Sequence, residues 1–351
     1  MSNSAFYILP LLLALALALI LTPLVKKLAG FLNIIDNPAP RKIHSKPIPL
    51  MGGLAIFIAF VLTVIIFWSL GYIHDVRISN IYILAILVSG LVLMIGGFFD
   101  DRYNLKPWQQ FIFPVIAVLI ILIAGIRIQN VTNPFGGLIK IPYLLGIILT
   151  FFWLLGTTYT SKILDGLDGL VTGITAIASI IIFVVSLYWD TPLSGTSIMS
   201  LILAGSCLGF LVFNWHPAKI FLGEGGSVFC GFMLGILSVI SGSKIATALL
   251  IMGIPILDVC WIIIQRLWQG KSFASADNKH LHFRLLDIGL SHRQAVVFLY
   301  CLTATFGVIS LFLPSQGKII ALGFLVIFMI LLATSLIIIY RRKNKKLNFS
   351  S

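Results

Sequence analysis

The first residues in this chain with chemistry to offer are two adjacent carboxylates, Asp100 and Asp101, in the run Gly96-Gly97-Phe98-Phe99-Asp100-Asp101-Arg102. Neighbouring carboxylates repel, so one of them carries a proton, holds a metal or pairs with a cation. A solvated helix end with Arg102 as partner is the plainer reading. A second pair of acids lies in Lys162-Ile163-Leu164-Asp165-Gly166-Leu167-Asp168-Gly169-Leu170. If that stretch is helical, Asp165 and Asp168 share a face, and the glycines let a ligand approach the backbone. An ordinary interhelical turn would have the same composition. A third segment runs from Asn214 to Ser227 and ends in Gly223-Glu224-Gly225-Gly226-Ser227 before an apolar run. It suits an anion or metal site at a helix start, or a single acid placed there by the helix dipole.

Two further segments are basic. In Asn278-Lys279-His280-Leu281-His282-Phe283-Arg284 the residues His280, His282 and Arg284 alternate. An extended backbone would aim all three one way, and such a trio suits a pyrophosphate. A metal pair or a solvated loop is the other reading of the two histidines. The stretch from Arg41 to Gly53, which includes Lys46, is by composition a basic juxtamembrane loop facing lipid headgroups. Asp258 adds one acid inside an apolar run, with Arg266 as its expected structural partner.

The elements that must position these groups follow from composition. Of 351 residues, 59% are hydrophobic and 10% charged, against roughly 45–50% and about 25% in soluble domains. The surrounding medium is therefore lipid. A hydrocarbon core about 30 Å thick takes roughly 20 apolar residues per helix. On that measure eleven spans are expected, near 6–25, 51–71, 81–99, 109–126, 142–160, 171–188, 197–213, 226–241, 245–265, 294–312 and 318–340. Lipid cannot satisfy stray backbone groups, so the spans are helical. The expected fold is an all-α polytopic membrane bundle, one domain over 1–351. Its expected inner loops are 26–50, 100–108, 161–170, 214–226 and 266–293, with a basic tail at 341–351. Glycines and short polar breaks leave the count softest around 142–170 and 226–265.

Charge orients this bundle. No Lys or Arg precedes the first span and Lys26-Lys27 follows it, the pattern of an anchor with its N-terminus outside rather than a cleaved leader. In that orientation all of the 24 basic residues except Arg77, Arg127, Lys140, Lys244 and Lys318 fall inside, as does the C-terminus. The net charge of +13 is then a topological label and implies no nucleic-acid partner. Of the 11 acids only Asp75 and Asp190 fall outside. A carboxylate within the bilayer costs about 2.5–3.5 kcal/mol, so acids gathered at one face indicate a site for metal or phosphate. The four cysteines lie in apolar runs without CxxC spacing, which excludes a disulfide scaffold.

In this order on this frame, the five segments resemble the polyprenyl-phosphate N-acetylhexosamine-1-phosphate transferases, from about Asp36 to Arg293. The nearest branch is the bacterial undecaprenyl-phosphate one, of the glycosyltransferase family 4 type and related to the phospho-MurNAc-pentapeptide transferase of peptidoglycan synthesis. The resemblance implies transfer of a sugar-1-phosphate from a UDP-N-acetylhexosamine to a polyprenyl phosphate, with release of UMP. It implies Mg2+, with Mn2+ as an alternative, and a multi-pass plasma-membrane protein whose site faces the cytoplasm. Asp100 and Asp101 then match the catalytic acids, joined by Asp165, Lys162 and the His280, His282 and Arg284 loop over the pyrophosphate. Glu224 with Asp101 matches the metal position. Lys46, Gly166, Leu167, Asp168, Asn214 and Phe221 match the UDP-sugar pocket, with Phe221 stacking on uracil.

Three positions depart from the family pattern: Glu224 stands where Asp is usual, Lys162 where Asn is usual, and Phe283 where a third His often follows. A charged lysine has no acceptor and cannot ligate a metal. The expectation is that Lys162 supplies positive charge and that the longer Glu224 reaches the metal or pairs with Lys162. A transporter or flippase for a lipid-linked anion, or an intramembrane aspartyl protease, would share some of these features. A proton-coupled carrier would hold its ionisable groups near the midplane, and a protease would need two acids facing each other within the bundle. The amino sugar, the glycan and whether the chain forms a homodimer stay open.

Overall fold

The computed structural model of the chain describes residues 3–38, 46–73, 78–133, 135–189, 193–241, 245–268 and 280–348. Helix α1 spans Asn3–Phe31, and a two-residue pairing of β1 (Ile35–Asp36) with β2 (Ile48–Pro49) follows. Then come α2 (Gly52–Ser69), α3 (Asn80–Tyr103), the single turn α4 (Pro107–Gln110) and α5 (Ile112–Ile123). An antiparallel hairpin, β3 (Asn130–Thr132) and β4 (Leu138–Lys140), leads into α6 (Tyr143–Leu164), α7 (Leu170–Trp189) and α8 (Gly195–Asn214). The last elements are α9 (Gly223–Ile240), α10 (Ile245–Trp268), the short α11 (Leu281–Asp287), α12 (His292–Phe312) and α13 (Ser315–Asn348).

Among the described residues ten helices are long and apolar enough to cross a membrane, one fewer than expected from sequence. The exception is the expected span 109–126, whose place is taken by the shorter apolar helix Pro107–Ile123. That segment breaks at Phe111, and after Ile123 the chain turns out through Ala124 and Gly125, where φ is +98°. The 17 residues of Pro107–Ile123 cover about 26 Å at 1.5 Å per residue, the lower end of spanning length. The breaks at 142–170 and 226–265, by contrast, leave full-length spans on either side. Two ends extend beyond expectation: α1 carries through Lys26 and Lys27 to Phe31, and α13 continues into the basic tail as far as Asn348.

The bundle is built around α9. Within it 94% of the span is buried, against 17% for α13, and it packs on α2, α3, α6, α7, α8 and α10. Two of these crossings run backbone to backbone. A Cβ on Gly53 of α2 would stand 2.1 Å from Cα of Gly226, and one on Gly97 of α3 would stand 2.1 Å from Cα of Gly225. These glycines are helix contacts, the close-packing role small residues take in membranes. They draw the C-terminal turn of α3, which carries Asp100 and Asp101, against the N-terminal turn of α9, which carries Glu224.

Gly97→Ala should therefore lower the thermal midpoint of the detergent-purified protein, by overpacking worth about 1–3 kcal/mol. Gly30→Ala, with nothing within 4 Å of its added methyl, should leave the midpoint unchanged. Equal midpoints for Gly97→Ala and wild type would contradict this contact.

Candidate active site

The C-terminal turns of α3 and α6, the turn at 165–169, the 214–222 loop and the N-terminal turn of α9 meet at one end of the bundle. Their polar groups form a connected set. The Lys162 ammonium contacts Oε1 of Glu224 directly and stands 3.9 Å from Oδ2 of Asp100, with all three side chains no more than 20% exposed. Asp100 Oδ1 accepts from the Leu105 backbone N–H at 2.8 Å and from Gln110 Nε2 at 3.1 Å. Asp101 Oδ1 accepts from the Glu224 backbone N–H at 3.0 Å. Gly223, at φ +76°, makes room for this, because a Cβ there would lie 2.6 Å from Asp101 Oδ2. Arg102, the plainer partner for these acids, turns away and donates to the Leu32 carbonyl at 2.6 Å.

The two acids of the second segment part company. Residues 165–169 form a turn rather than a helix, so Asp165 and Asp168 do not share a helical face. Asp168 Oδ2 accepts from His216 Nδ1 at 2.6 Å and from the Ala218 N–H at 3.1 Å. Asp165 is exposed instead. Enclosure by the surrounding protein comes first, then the charges of Glu224, Asp101 and Asp168, and together they push its carboxyl well above the usual range. Its side chain is exposed, so the neighbouring negative charge is the firmer of these causes. Leu167 between them is buried.

Asn214 ties this turn to the next loop. Its Oδ1 accepts from the Gly169 N–H and the Thr172 hydroxyl, both at 3.0 Å, and its Nδ2 donates to the Ile220 carbonyl at 3.0 Å. The same loop is zipped to the start of α2: Phe221 N–H donates to the Pro49 carbonyl, Gly52 N–H to the Phe221 carbonyl and Gly53 N–H to the Leu222 carbonyl. Phe221 is half-buried and Lys46 is exposed just before β2. Residues 41–45 at the start of the fifth motif, with Arg41 and Lys42, lie outside the described residues, as do Asn278 and Lys279 of the fourth.

The His280, His282 and Arg284 trio does not lie on one extended face. Only His280 is extended, as the N-cap of α11, while His282 and Arg284 sit inside that helix, where residues two apart point to different sides. His280 Nδ1 is 2.9 Å from Asp258 Oδ2, and Asp258 Oδ1 accepts the Leu281 N–H at 2.9 Å. Asp258 thus pairs with His280 rather than with Arg266. His282 packs inward, where a Cβ on Gly166 would meet its Nε2 at 2.2 Å. Neither of its ring nitrogens has a hydrogen-bond partner among the described residues. Burial above all, then His280 and His292, push this imidazole down to about 3. Enclosed in this way, the His282 imidazole favours its neutral form. Arg284 lines a lateral cavity between α10 and α13 together with Trp261 and Met329.

Sequence reasoning passed over Gln110, which carries no charge and belongs to no motif, and His292, which opens α12. It quoted His216 without assigning it a role. Asp168, His216 and His292 place one ligand atom each within 4.8 Å of one another. Yet the two imidazoles are stacked face to face at 4.0 Å and 13°. Parallel rings send their in-plane lone pairs in parallel directions, not to a common point. Asp168 and His216 form a hydrogen-bonded pair between the 165–169 turn and the 214–222 loop, and α12 closes on it through the His292 ring stacked on His216 and through Arg293 Nε donating to the His216 carbonyl at 3.0 Å.

Hard divalent cations take oxygen ligands, and the carboxylates of Asp100, Asp101 and Glu224 fit one. Three carboxylates against one ammonium leave two unit negative charges, which a single divalent ion neutralises. Fold and site together define a multi-pass helical membrane enzyme with an acidic site at one end of its bundle. The comparisons agree on which one. The family model described as Glycosyl transferase family 4 matches residues 83–242. The chain is 33% identical over 331 residues to a probable undecaprenyl-phosphate N-acetylglucosaminyl 1-phosphate transferase of Bacillus subtilis (strain 168), covering 91% of this chain and 87% of that one. It is 34% identical over 353 residues to a decaprenyl-phosphate N-acetylglucosaminephosphotransferase of Mycobacterium leprae (strain TN), covering 92% and 88%. An undecaprenyl-phosphate alpha-N-acetylglucosaminyl 1-phosphate transferase of Haemophilus influenzae is 27% identical over 319 residues, covering 87% of each chain. The chain belongs to the polyprenyl-phosphate N-acetylhexosamine-1-phosphate transferase family and is a sugar-phosphate transferase.

His282 generates a pH prediction. The unfolded chain takes up this proton near pH 6.5, whereas the folded protein refuses it until about pH 3. Its contribution to stability is therefore complete above 6.5 and is lost as pH falls from there toward 3. Between pH 7 and 5 the loss is about 2 kcal/mol. The thermal midpoint of His282→Gln should fall less than that of wild type over this interval, and parallel curves would contradict the assignment.

Proposed function

We propose that the protein transfers N-acetylhexosamine-1-phosphate from a UDP-sugar to a membrane polyprenyl phosphate, with release of UMP. The product is the first lipid-linked intermediate of a cell-envelope glycan. The observation that carries this reading is the convergence of Asp100, Asp101, Lys162 and Glu224 at one end of the bundle, in a chain of this family. That end also bears Lys46, Arg102, Lys106, Lys219 and Arg293, and the positive-inside rule makes it the cytoplasmic one.

The chemistry joins two anionic phosphates. An oxygen of the lipid phosphate attacks the β-phosphorus of the nucleotide sugar, and the bond from that phosphorus to the bridging oxygen breaks, the electron pair leaving with UMP. Positioning and charge neutralisation carry such a step without a covalent enzyme intermediate. Asp100, fixed by two donors on Oδ1, presents Oδ2 as the base for a lipid phosphate that arrives protonated. Lys162 lends positive charge beside it. Asp101 and Glu224 would hold Mg2+ or Mn2+, which when bound supplies neutralisation of the phosphate oxygens. His280, oriented by Asp258 through Nδ1, keeps its other ring nitrogen for the substrate phosphates. The walls for the nucleotide are the 165–169 turn and the 214–222 loop with Phe221. Asp168 and Asn214 serve this pocket by holding those walls together, and Gly166, Leu167 and Lys46 border it.

Purified protein in detergent should release UMP from UDP-N-acetylglucosamine only when polyprenyl phosphate is added, and Asp101→Asn should slow this by at least about a hundredfold. UMP release without the lipid, or uptake of a lipid-linked anion without UMP release, would overturn the reading. Lys162→Asn, which restores the residue usual in the family, should shift the Mg2+ concentration for half-maximal transfer, because it frees Glu224 from its ion pair. An unchanged Mg2+ titration would remove Lys162 from the metal's surroundings.

A further inference from the structure

The side chain that connects the acids to the lysine is Gln110, at the end of α4. Its orientation is settled by its neighbours. Nε2 lies 3.1 Å from Asp100 Oδ1 and 3.1 Å from the Leu105 carbonyl oxygen, both acceptors only. Oε1 lies 2.8 Å from Lys162 Nζ, a donor only. A flipped amide would face acceptor with acceptor and donor with donor, so the three contacts admit one arrangement. The backbone of the same residue is held as well: Tyr159 of α6 donates its hydroxyl to the Gln110 carbonyl at 3.2 Å, and its ring stacks on Phe111 at 4.4 Å. With Asp100 and Glu224, Gln110 also lines a small cavity between α3, α5 and α9.

Lys162 stands between two carboxylates and touches only one of them. An ammonium so placed is drawn to both, and direct pairing with Asp100 would spend the charge of the group that faces the acceptor. The Gln110 amide lies between them as a neutral dipole, giving a donor to Asp100 and an acceptor to Lys162 without cancelling either charge. We propose that Gln110 is a positioning residue for the transfer reaction. It holds the Lys162 ammonium on Glu224 and keeps the Asp100 carboxylate oriented. This rests on the transferase reading given above. It accounts for a part-buried amide held from both ends by charged partners.

The test uses the full-length protein in detergent with UDP-N-acetylglucosamine, polyprenyl phosphate and Mg2+. Gln110→Met keeps the length and removes both hydrogen bonds, and Gln110→Glu keeps the shape but sets a like charge against Asp100. Each should lower kcat by about tenfold or more, leave KM for the nucleotide sugar within about twofold and shift the Mg2+ titration, with the thermal midpoint near that of wild type. In a Lys162→Met background the Gln110→Met effect should shrink to about twofold or less, because the partner it acts through is gone. Wild-type rates in Gln110→Met, a full effect in the Lys162→Met background, or normal turnover in Gln110→Glu would each overturn the proposal. A wild-type protein with no lipid-dependent UMP release would overturn the transferase reading instead, so the two failures are distinguishable.

Discussion

Helix α9 meets α2 and α3 through Gly226 on Gly53 and Gly225 on Gly97, with no side chain between the backbones. Everything at the active end depends on that proximity. Lipid supplies no hydrophobic drive for one helix to seek another, so close van der Waals packing does the work. Here it brings the last turn of one helix and the first turn of another close enough for the Glu224 N–H to reach the Asp101 carboxylate. Bulkier residues at these crossings would separate Asp101 from Glu224 before altering any catalytic group.

Such closeness creates an electrostatic difficulty that the rest of the site resolves. Three carboxylates and a fourth acid at Asp165 share a partly buried end of the bundle, where charge is costly unless paired. The answer has several parts: Lys162 on Glu224, backbone and amide donors on Asp100, a backbone donor on Asp101, and a raised proton affinity at Asp165. What remains is a modest negative excess suited to a divalent ion and, through it, to phosphates. The nearby set of Asp168, His216 and Asn214 is bound to its own loops, Asp168 to His216 and the Ala218 N–H, Asn214 to Gly169, Thr172 and Ile220. It gives the facing wall rigidity, while the charged set supplies the electrostatics.

How far these features could be read from the chain varies with how local their causes are. The lipid-embedded helical class follows from summed hydrophobicity, and ten spans stand where apolar length put them. The helix at the remaining one, Pro107–Ile123, is apolar but shorter than hydropathy put it, because the turn at Phe111 and the exit at Gly125 depend on backbone geometry. The acids at 100, 101 and 224 could be picked out because carboxylates are rare in apolar runs. Gln110 could not, since a lone glutamine carries no such signal. The alternation of His280, His282 and Arg284 suggested one face only if the segment were extended. As a helix it divides them, sending His282 into the core against Gly166.

The sequence by itself determined the medium, the helical class, the set of ionisable groups available and, through five ordered motifs, the family. Hydropathy and motif order are properties of neighbours along the chain and survive without a fold. Tertiary structure alone decided that Lys162 pairs with Glu224 while stopping short of Asp100, that Asp168 belongs to His216, and that Asp258 belongs to His280. Those pairings join residues 22 to 62 positions apart on different elements. They exist only because helix crossings at glycine and turns of fixed backbone geometry bring specific atoms within hydrogen-bonding reach.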